Sequence, residues 1–213
     1  MDIEKAYSSS VTLPTMDFDM LHLYGRHNAE RNMARTALEH SHTSLSSVRG
    51  SSSHFHNPFA AFVRNGANAA NEDFGDVYGF NLVYSGNFDI TADVDYYETT
   101  RINVGINPDG FTWHLEAGEE VQTPEVVLVY SNEGLGGMSR TFHRLYMNNL
   151  VRGKWKTEKR PLLINSWEAA YFDFDTDKLV SFAERAKELG IEMLVMDDGW
   201  FGVRNDDRRS LGD

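Results

Sequence analysis

The sequence predicts a multi-domain protein of the β plus α/β class: an antiparallel β-sandwich, then a connecting helix, then one parallel βαβ unit. Apolar residues alternate with a period of two across residues 76–130. From residue 138 to about residue 150 they follow helical spacing, and residues 162–196 show a strand–helix–strand order. The 213 residues exceed one domain of about 150 residues. Because one βαβ unit does not form a stable sheet by itself, we expect further strands outside this sequence or support from the β domain.

The β region is recognised by alternating apolar residues and by the turns between them. The alternating positions are Tyr78, Phe80, Leu82 and Tyr84, then Phe88, Ile90, Ala92 and Val94, then Ile102, Val104 and Ile106. Turn-forming residues separate these runs at 85–87, 107–110 and 117–119. Alternation with one polar face predicts a sandwich sheet that is exposed to solvent on one side. The six aromatic residues between 78 and 97 fit core packing better than the alternative, a platform for stacking sugars.

A serine-rich stretch at residues 41–53 comes before the alternating region. Seven of its thirteen residues are serine, which is typical of a loop or a loosely paired strand. His40 with His42, and His54 with His56, have the spacing of metal ligands on a strand. No carboxylate or cysteine is spaced to complete the ligand set, so we favour a polar loop over a metal site.

Helical spacing after residue 131 predicts one amphipathic helix that ends near Leu150, with Met138, Phe142, Leu145 and Tyr146 on its apolar face. The glycines at 134–137 fit a turn and helix cap better than a phosphate cradle, because no dinucleotide or Walker pattern surrounds them. The charged residues 153–161 predict a connector and the best domain boundary, in preference to a nucleic-acid patch.

The C-terminal part predicts a parallel βαβ unit. A short apolar strand over residues 162–165 is expected to be buried on both faces. Asp175 or Thr176 caps the following helix and Gly190 ends it, before a second strand over residues 191–196. The apolar stripe of this helix comprises Leu179, Phe182, Ala183, Ala186 and Leu189.

Candidate site residues follow each of these two strands, where the active sites of parallel α/β proteins lie. Trp167 and Glu168 follow the first strand, and Asp197 and Asp198 follow the second. Neighbouring carboxylates can accept hydrogen bonds from adjacent sugar hydroxyls, and an indole ring can cover the C–H face of a pyranose. The spacing equally fits two aspartates that cap a following helix and a tryptophan that packs beneath a loop. A charged loop at 204–209 leaves a binding role open.

Composition excludes several functional classes. Lys and Arg number 20 against 32 Asp and Glu, a net charge of −12, so a nucleic acid or an anionic membrane is not expected as the main partner. With no cysteine, disulfides, cysteine-ligated metals and a cysteine nucleophile are excluded, and a reducing cytoplasm is compatible. The sequence has no membrane-length apolar run, and its first residues do not read as a signal peptide.

The motifs at residues 165–174 (NSWEAAYFDF) and 196–202 (MDDGWFG) resemble those of the bacterial α-galactosidases, or melibiases, of glycoside hydrolase family 36. The resemblance runs from about residue 5 to residue 213. It implies that residues 1–131 are the later part of an N-terminal β-supersandwich. Residues 132–160 would then be the connecting helix and linker, and residues 161–213 the first βαβ of a truncated (β/α)8 TIM barrel.

The resemblance also implies a function. Members of this family hydrolyse terminal α-galactosides such as melibiose and raffinose with retention and without a cofactor or metal, and they are often homo-oligomers. Trp167, Asp197 and Asp198 would bind galactose, the aspartates through O4 and O6, whereas the catalytic aspartate pair is expected beyond Asp213. Ser166 stands where the family usually has Asn. The alternatives are galactosyl transfer of the raffinose-synthase type and a non-catalytic carbohydrate-binding module.

Overall fold

The structure is a computed structural model that describes residues 1–50 and 55–211. The chain divides into two compact units, Met1–Asn148 and Asn149–Asp213. The strands of the first unit are β1 (Asp2–Ile3), β2 (Tyr7–Leu13), β3 (Phe18–Arg26), β4 (Ala29–Ala37), β5 (His42–Ser47), β6 (His56–Arg64), β7 (Val77–Val83), β8 (Phe88–Val94), β9 (Thr100–Ile106), β10 (Trp113–His114) and β11 (Glu125–Ser131). Helix α1 (Gly134–Leu145) follows and continues as a π-helical turn, Tyr146–Leu150.

Two antiparallel sheets make the first unit a β-sandwich. One has the strand order β2–β9–β8–β5 and the other β11–β7–β6–β3–β4, and β1 pairs separately with β10. The predicted strands at 77–83, 88–94 and 100–106 are confirmed, although the chain changes sheets between β7 and β8. The sandwich core contains the alternating residues of both sheets: Phe62, Phe80, Leu82, Phe88, Ile90, Ala92, Ile102 and Val104.

The middle of the five-stranded sheet is covered on both faces, which the alternation did not predict, whereas its edge strand β4 is largely exposed. Ala60 and Phe62 of β6 face the sandwich core, whereas Ala61 and Val63 belong to a second cluster with Met138 and Phe142 of α1. The expectation of a solvent-exposed outer face is therefore wrong for this sheet, because the amphipathic helix packs on it. The outer face of the four-stranded sheet is polar, as predicted, but Thr91 and Asn103 at its centre are buried, and Asn103 Nδ2 donates to Thr91 Oγ1 at 3.2 Å.

The serine-rich stretch contains an ordered strand. Strand β5 pairs in full register with β8, from His42 opposite Asp93 to Ser47 opposite Phe88. Leu45 is its buried apolar residue. His54 lies outside the described residues, so the proposed His54–His56 pair is not described, and the His42 ring is hydrogen-bonded to Asp93 at 2.6 Å.

Aromatic residues of the β region divide between core and surface. Phe80 and Phe88 are buried and Tyr78 packs against the same core, as predicted. Tyr96 and Tyr97, at the turn between β8 and β9, are exposed, so core packing is the wrong interpretation for them. A two-residue aromatic run in a tight hairpin turn points away from both sheets.

The second unit is a parallel βαβ with β12 (Leu163–Asn165), a short helix α2 (Trp167–Ala170), helix α3 (Thr176–Glu188) and β13 (Met193–Val195). Asp175 caps α3 by accepting a hydrogen bond from the Lys178 amide at 2.9 Å, as predicted. The expectation that the first strand is buried on both faces is wrong, since Leu163 is 52% exposed. Two short strands and one helix present too little surface to cover both faces of the sheet.

The apolar stripe of α3 is also largely uncovered. Of its five predicted residues only Ala186 is buried, and Leu189 is exposed. None of the helices in the described ranges combines the length and the apolar character that a membrane crossing requires.

Candidate functional site

The parallel pairing of β12 and β13 brings the two candidate segments together at the carboxyl ends of the strands. Asn165 is opposite Val195, so the next residues of both strands enter neighbouring loops. Ser166 joins these loops directly: its amide donates to the Val195 carbonyl at 3.0 Å, and its Oγ accepts a hydrogen bond from the Asp197 amide at 3.1 Å. With 1% of its surface exposed, Ser166 is a buried link between the two segments.

Asn165 connects Asp197 with Trp167. Its Nδ2 donates to Asp197 Oδ2 at 2.6 Å, and its Oδ1 accepts from the Trp167 amide at 2.8 Å. A single amide side chain therefore fixes both the orientation of one candidate carboxylate and the start of the helix that carries the candidate tryptophan. Asp197 Oδ1 in turn accepts from the Asp198 amide at 2.8 Å.

Asp198 is held by an arginine from its own loop. Arg204 donates from Nε to Asp198 Oδ1 at 3.0 Å and from Nη2 to Oδ2 at 2.7 Å, and the Gly199 amide also donates to Oδ1 at 2.8 Å. The hydrogen bond from the Arg204 guanidinium lowers the pKa of Asp198 below its ordinary value, and the Gly199 amide adds to this effect. Asp198 is therefore an ionised, acceptor-only group at neutral pH.

The indole of Trp167 rests on two aromatic neighbours. Its ring meets Tyr171 edge-on at a centroid distance of 5.2 Å and Phe172 at 4.9 Å. Tyr171, which follows α2, has a positive φ of 49°. Such a backbone conformation is uncommon for a non-glycine residue and turns the chain sharply after α2. The turn folds the segment back and places both supporting rings against Trp167.

The two aspartates keep unused acceptor capacity. Each carboxylate oxygen has two lone pairs. Each oxygen of Asp197 accepts one of the hydrogen bonds described above. Oδ2 of Asp198 also accepts one, from Arg204 Nη2, because the nearer partner of Arg204 Nε is Oδ1. Three acceptor positions on two adjacent carboxylates therefore remain for donors such as hydroxyl groups. This arrangement favours ligand binding over the alternative in which both residues cap a helix, since no helix follows Asp198 within the described residues.

Sequence reasoning identified Trp167, Asp197 and Asp198, and the structure brings all three to one end of the sheet. It missed the contributions of Asn165, Ser166 and Arg204 to the same site. Asn165 and Ser166 could have been found from the sequence, because an amide or hydroxyl residue at a strand end is followed there by a tryptophan. The sequence places Arg204 in a charged loop, and nothing in it indicates that the side chain is buried. Glu168, the fourth candidate, is exposed.

The glycine-rich start of α1 is not a phosphate cradle in this structure. The amides of Gly134, Leu135 and Gly136 donate to backbone carbonyls of the β6–β7 connection, at Gly75, Asn71 and Glu72. These are the donors that an anion would need, so the turn-and-cap interpretation is the one the structure supports. Within residues 1–50 and 55–211, no group of three or more His, Asp or Glu side chains is arranged to hold a metal ion.

Comparison with known families identifies the chain. The family model of the glycosyl hydrolase family 36 N-terminal domain matches residues 1–116, and the Melibiase model matches residues 120–213. The chain belongs to glycoside hydrolase family 36. Both the resemblance in the sequence motifs and the predicted fold class, part of a sandwich followed by the start of a TIM barrel, are confirmed.

Relatives in this family are named as α-galactosidases. AgaA of Geobacillus stearothermophilus is 54% identical over 98% of this chain, and Mel36A of Lactobacillus acidophilus is 46% identical over 99%. The crystal structure of AgaA matches 100% of this chain with a TM-score of 0.95 and 52% identity, and AgaA variants have been solved with stachyose and with raffinose. The chain spans about 28% of the length of these two relatives, and 29% of the AgaA crystal structure.

Proposed function

We propose that this chain is a segment of a longer retaining α-galactosidase, and that its βαβ unit carries part of the galactose-binding subsite. The observation that carries the proposal is the pair of adjacent, firmly positioned carboxylates, Asp197 and Asp198, at the carboxyl ends of parallel strands and in one cluster with Trp167. Family membership supports it, as do the complexes of AgaA variants with raffinose and stachyose.

Each of the three residues has a role in this proposal. Asp197 and Asp198 accept hydrogen bonds from the galactosyl hydroxyls O4 and O6, the positions at which the axial O4 separates galactose from glucose. Trp167 forms a wall of the pocket, where an indole face packs against the apolar C–H side of the sugar. Carboxylates whose orientation is already fixed lose little conformational entropy on binding, so they suit recognition of a single hydroxyl stereochemistry.

The environment of Asp198 argues against a role as the catalytic proton donor. Retaining glycosidases use one carboxylate as nucleophile and a second carboxyl group as acid and base, on opposite sides of the anomeric carbon and about 5–5.5 Å apart. Asp198 is bound by Arg204 and its pKa is lowered, which is the opposite of what a proton donor requires. Asp197 and Asp198 match the family's binding motif, so we propose that the nucleophile and the acid/base aspartate lie in the protein beyond Asp213. Hydrolysis by this route needs no cofactor.

The proposal includes an organisation of the whole protein. Residues 1–131 form the later part of the N-terminal supersandwich, residues 132–160 the connecting helix and linker, and residues 161–213 the start of the catalytic barrel. Packing of α1 on the five-stranded sheet supports the assignment of the helix to the end of the sandwich. We further propose that the complete protein acts on α-galactoside oligosaccharides, forms a homo-oligomer and resides in the cytoplasm, which a cysteine-free sequence suits.

The test is an assay of the complete reading frame that contains this sequence, with an aryl α-galactoside and with raffinose. We expect hydrolysis with retention, and we expect Asp197→Asn to weaken galactose binding strongly while the exposed Asp177→Asn in α3 has no effect. The 213-residue chain alone should be inactive. A protein that transfers galactose to a sugar acceptor in place of water would favour the raffinose-synthase type. Galactose binding with no turnover by the complete protein would favour a binding module.

A further inference from the structure

Among residues 149–211, Arg204 is the most deeply buried charged side chain, with 4% of its surface exposed. Besides its two hydrogen bonds to Asp198, its Nη1 donates to the carbonyls of Asp206 at 2.8 Å and Arg209 at 3.0 Å. Burying a guanidinium is costly unless its donors are satisfied. Here all three nitrogens have acceptors, so the side chain is locked between the Asp198 carboxylate and the backbone of the loop that follows.

The same guanidinium also contacts the aromatic side of the site. Its Cζ lies 5.5 Å from the ring centroid of Phe172, and that ring supports the Trp167 indole. Gly199, between Asp198 and Arg204, brings the loop close enough for these contacts: it has a φ of +100°, and an added Cβ would lie 3.1 Å from Phe172. Arg204 therefore contacts Asp198 of the subsite directly, and it contacts Phe172, the ring that supports Trp167.

We propose that Arg204 is a positioning residue of the galactose subsite, which holds the Asp198 carboxylate in one orientation and supports Trp167 through Phe172 without touching the sugar. This inference rests on the proposed function and names a residue on which that function depends. The two-pronged contact fixes the plane of the carboxylate, which one point charge would not do. It engages both oxygens of Asp198 and leaves one acceptor position on Oδ2.

The charge of Arg204 has a second consequence for the site. Asp197, Asp206 and Asp207 lie next to Asp198 or Arg204, and Asp207 accepts from Arg204 Nη2 at 3.2 Å. Arg209 pairs with Asp206 at 3.4 Å on the exposed side of the loop. The hydrogen bond from the Arg204 guanidinium lowers the pKa of Asp198 and outweighs partial burial, which acts in the opposite direction. When the pH is lowered, a variant without this positive charge should therefore lose galactose binding at a higher pH than the unchanged protein does.

The test uses the complete enzyme and compares Arg204→Lys and Arg204→Gln with the exposed Arg208→Lys and Arg208→Gln from the same loop. We expect both Arg204 variants to raise the KM for an aryl α-galactoside and the inhibition constant of galactose by about 10–100-fold. Only Arg204→Gln should also move the acid limit of galactose binding to higher pH. The Arg208 variants should match the unchanged enzyme in all three measurements.

A double variant separates positioning from a general effect on stability. If Arg204 acts through Asp198, Arg204→Gln should add little further loss of galactose affinity in an Asp198→Asn background. Folded Arg204 variants with unchanged KM and inhibition constant, or losses that add fully in the double variant, would overturn the inference while leaving the proposed function intact. Arg204→Lys keeps the charge, so it serves as the decisive variant if Arg204→Gln does not fold. An unchanged enzyme with no activity on any α-galactoside would overturn the proposed function and this inference with it.

Discussion

Gly79 of β7 lies directly against Met138 and Phe142 of helix α1, and Gly79→Ala tests that packing. A Cβ at this position would lie 2.6 Å from Phe142 Cε2 and 2.7 Å from Met138 Sδ. Ordinary contacts between carbon atoms are about 3.5–4.0 Å, so the phenyl ring must move by about 1 Å. That ring is confined between Phe59, edge-on at 5.8 Å, and Tyr146, stacked at 5.8 Å.

The sign of the change in the free energy of unfolding tells a clash at Gly79 from a site with room for a methyl group. Without a clash, Gly→Ala stabilises a protein by about 0.4–1 kcal/mol, because the unfolded chain loses conformational freedom. Forcing a methyl group into a packed interface costs about 1–3 kcal/mol. We therefore expect Gly79→Ala to lower the free energy of unfolding by about 1–2 kcal/mol. For a unit of 148 residues this corresponds to a decrease in Tm of about 2–8 °C.

Thermal unfolding followed by far-ultraviolet circular dichroism measures this change, and a double-mutant cycle with Phe142→Leu provides the control. Leucine lacks the ring-edge carbon that the new methyl group would meet, so Gly79→Ala should cost less in that background. A higher Tm for Gly79→Ala alone, or the same cost in both backgrounds, would refute the packing of α1 described here.

Three further outcomes follow from the βαβ unit. Asn165→Asp replaces the donor to Asp197 with a second carboxylate, and should weaken galactose inhibition of the complete enzyme by about 10–100-fold; an unchanged inhibition constant would mean that Asn165 does not orient Asp197. Asp175→Ala removes the N-cap of α3 and should destabilise its first turn by about 1 kcal/mol, seen as about fivefold faster hydrogen exchange of the Lys178 amide, whereas an unchanged rate would contradict the cap. Because the pKa of Asp198 is lowered in the folded protein, its contribution to stability is present above its ordinary pKa of 3.8 and is lost as the pH falls through the lower folded-state value. An NMR titration of the Gly199 amide should therefore have its midpoint below 3.8, and a midpoint at or above 3.8 would contradict the Arg204 contact.

Local patterns predicted the elements that are encoded by residues close together in the sequence. Strand β8 was predicted because its apolar residues alternate, and α3 because a capping aspartate begins it and a glycine with a φ of +78° follows it. Trp167, Asp197 and Asp198 were predicted as site residues from their positions after two short apolar strands. Those features are encoded within a few neighbouring residues, which is why they could be read without a structure.

Features that depend on partners distant in sequence could not be read in this way. The serine-rich sequence of β5 fits either a loop or a loosely paired strand, and pairing in full register with β8 makes it an ordered strand. The outer face of the five-stranded sheet looked exposed until α1 was seen to cover it. Arg204 looked like one charge in a solvated loop, and its burial follows from the turn at Gly199 that carries it to Asp198.

Sequence patterns alone were enough to predict the family, the main elements after residue 76 and the two strand ends at which we propose that a sugar binds. That information lies in short-range periodicity, in helix caps and in adjacent motif residues. Each of these signals extends over only a few neighbouring residues. The tertiary structure decided which faces are covered, how Asn165 and Ser166 join the two loops, and which charge accompanies Asp198. These properties depend on the distance between atoms far apart in the chain, and only folding sets that distance.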